Sequence, residues 1–548
     1  MKEEIQKFFK GDIDSSDETL QKYSHDASIF TVRPQYVLFP KDATDVKNLV
    51  AWVSQNKEKY HDIAITCRCA GTDMSGGSIG ESIILDFTRY MNTLISFENP
   101  EAITVQPGMF YRDFEKITLE KGMILPCYTA SKSLNAMGGM FGNNSAGERT
   151  LQYGKTEDYI MQSKVVFSDG REYVVKPLTK KELYGKIAQG DFEGEIYKNI
   201  FALINENKED LKKAKPNVTK NSSGYYLWNV WDSENEIFDL NKVIVGSQGT
   251  LGIATEITFR LVKPKPYTNL VVVFMRDVAI LPELVNKILP YHPQTLETYD
   301  DKTFLLVLKY IVSFAKLLGL GNFFRLIFSF GPETIMTIRH GFPRIILLIE
   351  FTGDTKEEAD TTMKNAVKEL KKIPKIGVYI TKNEFEAKKY WTIRREAFNL
   401  IRFHLKKMKS EAFVDDVIVR PEMLPEFFPK VYSILEAYKD HMTFAIGGHA
   451  GDGNLHIYTL LDPHDPKLKD IVADVSKQVY DLVIQLGGSI TAEHNDGIMR
   501  SPFLPQMFGN KIYSLFEKTK NLFDPKNIFN PGKKIGATKE YSMEHIIQ

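Results

Sequence analysis

Two histidines seven residues apart, followed later by a Glu-His pair, are the residues of this sequence best suited to chemistry. The stretch 444–461 (FAIGGHAGDGNLHIYTLL) has His449 before a Gly-Asp-Gly turn and His456 after it, which predicts two strands that bring both imidazoles together. Glu493 is expected to add a carboxylate from a third strand. Two imidazoles, one carboxylate and an open position would form a catalytic site for Zn²⁺ or a similar divalent ion. The alternative is a pair of buried histidines that only form hydrogen bonds.

The residue after Glu493, His494, is the candidate general base. A neutral imidazole near pH 7 accepts a hydroxyl proton well. A metal at the neighbouring site would polarise that hydroxyl and stabilise the developing alkoxide. The alternative role for His494 is to support a metal ligand.

Four bends rich in Gly and Asn lie in the first half of the chain, at 70–78, 138–154, 221–227 and 246–252. Such a density of glycine lets backbone N–H groups converge on an anionic group, and a pyrophosphate is the natural guest. Each bend alone also fits an ordinary turn. The sequence contains neither a P-loop pattern nor a GxGxxG that joins a strand to a helix, which argues against a Rossmann nicotinamide site.

In this order the motifs resemble the vanillyl-alcohol-oxidase, or PCMH-type, superfamily of FAD-linked oxidases. The nearest branch is that of the FAD-linked D-lactate, glycolate and D-2-hydroxyglutarate dehydrogenases. The resemblance runs from about residue 35 to 536 and rests on six segments: CRCAGTDMSGGS, LPCYTASKSLNAMGGMFGNNSAGERTLQYGKTEDYI, VGSQGTLGIATEITFRLV, GGHAGDGNLHI, GGSITAEHNDGI and FDPKNIFNPGK.

The resemblance implies an α+β protein of two parts. A two-subdomain PCMH-type FAD-binding domain would span 1–265. An α+β cap domain with an antiparallel sheet, of the FAD-linked oxidase C-terminal type, would span 266–548, with about 480–548 returning to the FAD domain. Pro264 and Pro266 are consistent with a boundary at this point.

Local patterns predict several elements directly. Residues 46–53 have helical spacing after Asp42 and Thr44, which can cap the helix. Residues 163–175 fit a hairpin with Asp-Gly at its turn. Residues 242–262 are expected to form two strands around a Gly-rich bend.

The same resemblance assigns most of the flavin contacts to the Gly-rich bends. The first bend has no histidine that could tether the flavin, so dissociable, non-covalent FAD is expected. Its lead-in, Arg68-Cys69-Ala70, carries the bulk of Cys69 where the family pattern has glycine. The residues implied are Gly71, Thr72, Asp73, Ser75 and Gly76 at the pyrophosphate; Ser131, Gly138, Gly139, Asn143, Ser145 and Gly147 at the isoalloxazine and ribityl chain; Gly249, Gly252 and Ile253 on the adenosine side; and Asn530, which reaches back to the flavin.

The resemblance also assigns the metal to His449, His456 and Glu493 and the substrate carboxylate to Arg394 on the basic helix 388–402. Arginine binds a carboxylate in bidentate fashion. The neighbouring Arg395 is not excluded, and a solvated helix face is the other alternative.

Two departures from the family pattern bear on the substrate. The usual Glu-His-Gly-x-Gly reads Glu-His-Asn495-Asp496-Gly here, and the carboxylate of Asp496 is expected to raise the pKa of His494 or to disfavour a second substrate carboxylate. Asn and Asp tolerate left-handed backbone, so the turn itself should be kept. Val414 and Asp415 stand where some 2-hydroxyglutarate-type members have a lysine, which weakens the case for a dicarboxylate.

Bulk properties restrict the class of protein. The chain has 548 residues with 70 basic and 70 acidic side chains, so no basic surplus favours nucleic acid. Three cysteines do not make a disulfide framework, and neither a signal peptide nor a spanning helix is predicted, so a cytoplasmic location is expected. The basic, apolar segment 303–330 would either contact the inner face of a membrane peripherally or be buried in the cap.

The expected reaction is oxidation of a D-2-hydroxy acid, with D-lactate as the first candidate and D-2-hydroxyglutarate or glycolate as alternatives. Hydride would pass to FAD and electrons onward to a quinone or to a separate electron-transfer protein, since no Cys-rich iron–sulfur segment is present. One rival is a non-redox flavoenzyme like alkyl-glycerone-phosphate synthase. A flavin-binding assembly subunit with degenerate chemistry is the other.

Overall fold

The computed structural model describes residues 1–309, 330–404, 409–410 and 413–547. The first half of the chain contains three sheets. A four-stranded sheet has the order β1-β2-β4-β3, with β1 antiparallel to β2 and the other pairs parallel. Its strands are β1 Asp12–Asp14, β2 Tyr36–Phe39, β3 Ile65–Arg68 and β4 Ile83–Asp86. An antiparallel five-stranded sheet follows, in the order β5-β6-β12-β7-β8, and a three-stranded one in the order β10-β11-β9. Their strands are β5 Leu94–Ser96, β6 Ala102–Val105, β7 Ile160–Val166, β8 Glu172–Val175, β9 Leu178–Thr179, β10 Trp231–Asp232, β11 Ile237–Phe238 and β12 Ile253–Arg260.

The second half is built on an antiparallel eight-stranded sheet. Its order is β16-β13-β15-β14-β19-β20-β17, and β18 pairs with β20 as well. Alternate residues of β13 pack into two different hydrophobic clusters, so both faces of the sheet are covered. This explains why its strands read as continuous apolar runs and not as alternating ones. The strands are β13 Tyr267–Met275, β14 Thr295–Asp300, β15 Ile345–Gly353, β16 Ile376–Ile380, β17 Lys409–Ser410, β18 Val417–Ile418, β19 Met442–His449 and β20 Asn454–Leu461.

Helices cover these sheets, which makes the described chain α+β as expected. Three of the longer ones begin at a side-chain cap, among them the helix after Asp42, whose carboxylate accepts from the backbone N–H groups of Thr44 and Asp45. The helices are Lys2–Ile5, Asp17–Tyr23, Ala43–Asn56, Tyr111–Glu120, Met137–Asn143, Thr150–Tyr153, Lys180–Ile187, Phe192–Glu206, Lys208–Ala214, Asn241–Ile244, Leu281–Ile288, Asp301–Lys309, Gly331–His340, Lys356–Leu370, Glu384–His404, Leu424–Glu436, Leu468–Gln485, Gly497–Arg500, Leu504–Phe523 and Lys539–Glu544.

Two of the three elements predicted from local sequence patterns are confirmed. The helix at 46–53 and the hairpin at 163–175 are both present. The prediction of two strands in 242–262 is half wrong, because its first part is the helix Asn241–Ile244 and only β12 is a strand. A run of β-branched residues is a weak prior that tertiary packing overrides.

The C-terminal segment lies against the first half of the chain. Phe529 bridges to Ile65, and Ile546 bridges to Phe30. The hydroxyl of Ser168 donates to the carbonyl of Phe523. These contacts fit a segment that returns to the FAD domain, while the boundary at 265 stays a prediction.

The described residues contain no helix long and apolar enough to cross a membrane. Most of segment 303–330, residues 310–329, lies outside the described part of the chain, so the choice between membrane contact and burial there stays open.

Candidate functional site

The two predicted strands around the Gly-Asp-Gly turn place both histidines on neighbouring strands at the centre of the large sheet. His456 of β20 pairs with Gly447 of β19, two residues before His449. The turn closes at Gly453, whose φ of +75° and 1.9 Å approach of an added Cβ to a backbone oxygen exclude other residues. The hairpin therefore brings the side chains together as predicted.

The imidazoles and the Glu493 carboxylate converge at the distances expected of ligands to one ion. The Nε2 atoms of His449 and His456 lie 3.3 Å apart. Glu493 Oε1 lies 3.2 Å from the first of them, and Oε2 lies 3.9 Å from the second. Donors bound at about 2.0–2.1 Å to a tetrahedral Zn²⁺ would be about 3.4 Å apart. We call His449, His456 and Glu493 the metal triad.

Carboxylates at the far ring nitrogens fix both imidazoles in the orientation that ligands need. Nδ1 of His449 lies 2.5 Å from Glu297, and Nδ1 of His456 lies 3.0 Å from Asp415. An Nδ1–H bound to a carboxylate leaves the Nε2 lone pair for a metal, and this pairing accompanies metal-ligating histidines in general. The two Nε2 atoms face each other at 3.3 Å, which requires a proton or a metal cation between them.

Neighbouring charges shift the pKa values of two members of the metal triad, His449 and Glu493. Burial would lower the pKa of His449, but Glu297 outweighs it and raises the value to about 9. Burial would raise the pKa of Glu493, yet Lys220 and His449 hold it well below its usual range. The carboxylate is therefore charged and available as a ligand.

Glu493 does not come from a third strand, so that prediction is wrong. It lies in an irregular turn that follows the isolated bridge between Ser489 and Ile418. One oxygen of the buried Asp416 organises this turn by accepting from the Thr491 hydroxyl and from three successive backbone N–H groups, those of residues 492–494, at 2.7–2.9 Å. Asp416, His456, Glu493 and His494 also offer ligand atoms that lie within 4.8 Å of one another, a second possible set of metal ligands that shares two residues with the histidine pair and Glu493.

The candidate base His494 shares a carboxylate with a ligand of the triad. Its Nδ1 lies 2.8 Å from Asp415 Oδ2, and its ring stacks on that of His456 with centroids 5.2 Å apart. Burial would lower the pKa of His494, but Asp416, Asp415 and Glu493 together raise it to about 9. The protein's own charges thus favour the imidazolium, and a divalent cation in the triad would shift the balance toward the neutral base.

The expectation that Asp496 acts on His494 is wrong. Its carboxylate accepts from Lys534 at 2.7 Å and from the Gly224 backbone N–H at 2.9 Å, with both charged side chains fully buried. This pair neutralises it, and it is not among the main influences on the pKa of His494. Asn495 adopts the left-handed backbone as predicted, with φ of +66°.

Three charged residues at the site have no recognisable sequence signal. Glu297 comes from β14, Asp416 precedes β18, and the fully buried Lys220 reaches in from the first half of the chain. Lys220 donates to Glu493 at 2.7 Å and pairs with Asp452 at 3.2 Å. Each lies far along the sequence from the histidines, and only the fold brings them together.

Arg394 and Arg395 occupy different environments on the helix Glu384–His404. Arg394 is nearly buried, 3.2 Å from Glu297, and its Nε has no hydrogen-bond partner among the described residues. Arg395 is more exposed and is clamped by both oxygens of Glu148. An unpartnered buried donor near the metal triad favours Arg394 as the carboxylate ligand.

The first, second and fourth Gly-rich bends meet around Asp73. Its carboxylate accepts from the backbone N–H groups of Ser75 and Gly77 and from the amide of Asn143. The side chain therefore shapes the bend, which leaves backbone N–H groups to face an anionic guest. Gln248 of the fourth bend donates to Ser75 at 3.2 Å.

The second bend opens with the short helix Met137–Asn143, and one face of this helix has room for a flavin. A Cβ added at Gly139 or Gly142 would meet nothing within 4 Å, so open space lies along this face. The buried side-chain nitrogens of Asn144 (Nδ2) and Arg68 (Nη1) have no partner among the described residues. These are the features of a cradle for a polar, phosphorylated group.

Several predicted flavin residues lie outside this cluster of contacts. Gly252 packs its backbone against Val165, and the Ile253 side chain is buried in the hydrophobic core. Ser131 exchanges a hydrogen bond with Thr129. The remaining predicted residues lie in the bends and in helix Met137–Asn143: Gly71, Thr72, Gly76, Gly138, Ser145, Gly147 and Gly249.

Asn530 joins the C-terminal segment to two of these bends. Its amide donates to the carbonyls of Gly77 and Gln248 at 2.9 and 2.8 Å, and its oxygen accepts from Thr66. Asn495 donates to the carbonyl of Asn143 at 3.1 Å. This hydrogen bond connects the turn that carries Glu493 and His494 directly to the second bend.

We expect Asn530→Ala to weaken FAD binding at least about tenfold, because two buried carbonyls would lose their donor at a cost of about 1–3 kcal/mol each. Flavin fluorescence on dilution measures the dissociation constant. Asn527→Ala is the matched control, since Asn527 has the same left-handed backbone but is exposed. Equal FAD affinity in the two variants would contradict this role of the Asn530 amide.

Comparison with known proteins matches two family models to this chain. Residues 34–176 match the FAD binding domain model, and residues 265–534 match the model of the C-terminal domain of FAD linked oxidases. A D-2-hydroxyglutarate dehydrogenase of Pseudomonas putida is 26% identical over 96% of this chain, and the chain spans about half of that relative's length (50%). A D-lactate dehydrogenase of Anaerostipes hadrus is 26% identical over 94% of this chain and 93% of its own.

Solved structures share the fold at low identity. An alkyldihydroxyacetonephosphate synthase has a TM-score of 0.64 at 15% identity and covers 96% of this chain and 84% of its own. A 4-ethylphenol oxidase of Gulosibacter chungangensis has a TM-score of 0.64 at 15% identity and covers 95% and 94%.

Proposed function

Because this chain belongs to the FAD-linked oxidase family, we propose that it oxidises a D-2-hydroxy acid to the 2-oxo acid, with D-lactate as the first candidate. One observation carries the proposal. The metal triad, whose imidazoles are held by Glu297 and Asp415, lies beside His494 and connects through Asn495 to the flavin cradle. This arrangement supports a single site that would hold the substrate hydroxyl, the base and the flavin.

The cofactors would divide the chemistry between them. When bound, FAD supplies the hydride acceptor and a divalent ion, which we propose is Zn²⁺, supplies Lewis-acid charge. The bound FAD would be dissociable, because the first bend has no histidine that could tether it. His449, His456 and Glu493 would hold the ion, and His494 Nε2 would accept the hydroxyl proton while Asp415, 2.8 Å from Nδ1, stabilises the imidazolium that forms.

The cations near the site favour a monocarboxylate. Arg394 has a free donor, whereas Arg395 is bound by Glu148 and Lys220 is bound by Glu493 and Asp452. Val414, where a lysine stands in some relatives, is buried. Arg394 is thus a guanidinium beside the metal triad with a donor left for the single carboxylate of lactate.

Replacement of Arg394 by methionine is expected to raise KM for D-lactate about 10–100-fold, the equivalent of a lost charge-assisted hydrogen bond of about 1.5–3 kcal/mol. Arg395→Met is the matched control, and its KM should stay within about threefold of wild type because a rim ion pair contributes little. Steady-state kinetics at saturating acceptor give both values. The reverse ranking would assign the carboxylate to Arg395.

The electron acceptor is proposed more broadly, as a quinone or a separate electron-transfer protein. Reduced FAD delivers electrons to either class. Reoxidation of the substrate-reduced enzyme by a water-soluble quinone, compared with reoxidation by a one-electron protein carrier, separates the two.

Anaerobic bleaching of the flavin tests the proposed reaction. D-lactate should bleach it faster than L-lactate, glycolate or D-2-hydroxyglutarate. Failure of all 2-hydroxy acids to bleach the flavin would refute the proposal and favour non-redox chemistry. Fastest bleaching by D-2-hydroxyglutarate would keep the reaction and correct the substrate.

A further inference from the structure

Lys220 is a charged residue that the proposed reaction leaves without a role. Its side chain is fully buried and arrives from the loop after helix Lys208–Ala214, in the first half of the chain. Its Nζ lies 2.7 Å from Glu493 Oε1 and 3.2 Å from Asp452 Oδ2, both from the second half. A buried lysine with a triad carboxylate as its nearest partner requires a physical reason.

We propose that Lys220 is a positioning residue that sets how tightly the metal triad retains its cation. By donating to Oε1 of Glu493, it holds that carboxylate in place and withholds part of its negative charge from the ion. The inference rests on the proposed metal site. An ion that receives less charge from its ligands is a stronger Lewis acid and exchanges more readily.

The sign of the change in metal affinity when Lys220 is replaced distinguishes an electrostatic role of its charge from a merely structural role. An ammonium bonded to a ligand oxygen repels a divalent ion, and at an effective dielectric near 20 this repulsion is worth more than a factor of about ten in affinity. Loss of orientation alone acts in the opposite direction, since removal of a supporting partner typically weakens metal binding about 10–100-fold. A neutral residue at 220 should therefore tighten binding if charge dominates.

Titration of the metal-free holoenzyme, with FAD bound, by Co²⁺ tests the proposal. Lys220→Met should bind Co²⁺ at least about tenfold more tightly than wild type. Lys220→Arg keeps the charge, so its affinity should stay within about threefold of wild type. Asp452→Asn removes a neighbouring negative charge but leaves the Lys220–Glu493 contact, so it should bind Co²⁺ more weakly.

Each outcome decides one of the two proposals. Absence of Co²⁺ binding by the wild type would refute the metal triad and, with it, the role of Lys220. Binding by the wild type, with equal or weaker binding by Lys220→Met, would refute the Lys220 proposal alone. Lys220→Gln, which keeps a neutral donor, is measured if the methionine variant does not retain FAD. If neither variant folds, Lys220 is a structural residue and the proposal is wrong.

Discussion

Substitution of His494 by alanine should lower kcat about 10²–10⁴-fold, the range that a positioned general base contributes. The ring of His494 stacks on that of His456, and its Nδ1 lies 2.8 Å from Asp415 Oδ2. KM should change little, because the proposed ligand of the substrate carboxylate is Arg394 and not His494. Stopped-flow reduction of FAD by D-lactate isolates the step in which the hydroxyl proton is lost.

The His494 experiment needs controls for folding and for the metal. Bound FAD and the metal content should equal those of wild type, since His494 is not assigned as a ligand. His464→Ala is the matched control, because His464 is exposed in the turn after β20. Loss of metal from His494→Ala would show that the residue supports the triad, and unchanged flavin reduction would refute its role as base.

Local sequence patterns predicted the parts of the site that are close in sequence. The His449–His456 pair needs only a hairpin with glycine at Gly453, and both are visible in GGHAGDGNLH. The flavin bends are recognisable for the same reason, because glycine and asparagine at fixed spacing specify backbone conformation and not distant contacts.

The charges that tune the site could not be predicted in this way. Glu297 and His449 are 152 residues apart, and Lys220 and Glu493 are 273 apart. A buried ion pair across such distances depends on sheet order and on how the two halves of the chain meet. No local period or spacing encodes either.

The two wrong predictions about the site, which concern Glu493 and Asp496, have the same origin. The sequence placed Glu493 on a strand because its neighbours are compatible with one, whereas the Asp416 carboxylate captures three successive backbone N–H groups and holds a turn. The influence expected of Asp496 assumed that it has no counter-charge. Lys534, 38 residues later, supplies that charge in the folded protein.

Removal of one imidazole of the metal triad should also slow the reduction of FAD strongly. We expect His456→Ala to lose its bound metal and to reduce FAD about 10³-fold more slowly with D-lactate, the equivalent of about 4 kcal/mol of charge stabilisation. Elemental analysis of the purified holoenzyme gives the metal content, and anaerobic stopped-flow gives the rate. Treatment of wild type with a chelator should cause the same loss, and added Zn²⁺ should restore wild type but not the variant.

A surface imidazole–carboxylate pair offers the matched control for His456. His441 Nδ1 lies 2.7 Å from Asp465, the same kind of contact that His456 makes with Asp415, but it is half-exposed and remote from the triad. His441→Ala should keep its metal and its rate, which separates loss of a ligand from loss of any carboxylate-paired histidine. If His456→Ala bound metal normally, the facing Nε2 atoms would be explained by a shared proton, and His494 would act with no Lewis acid beside it.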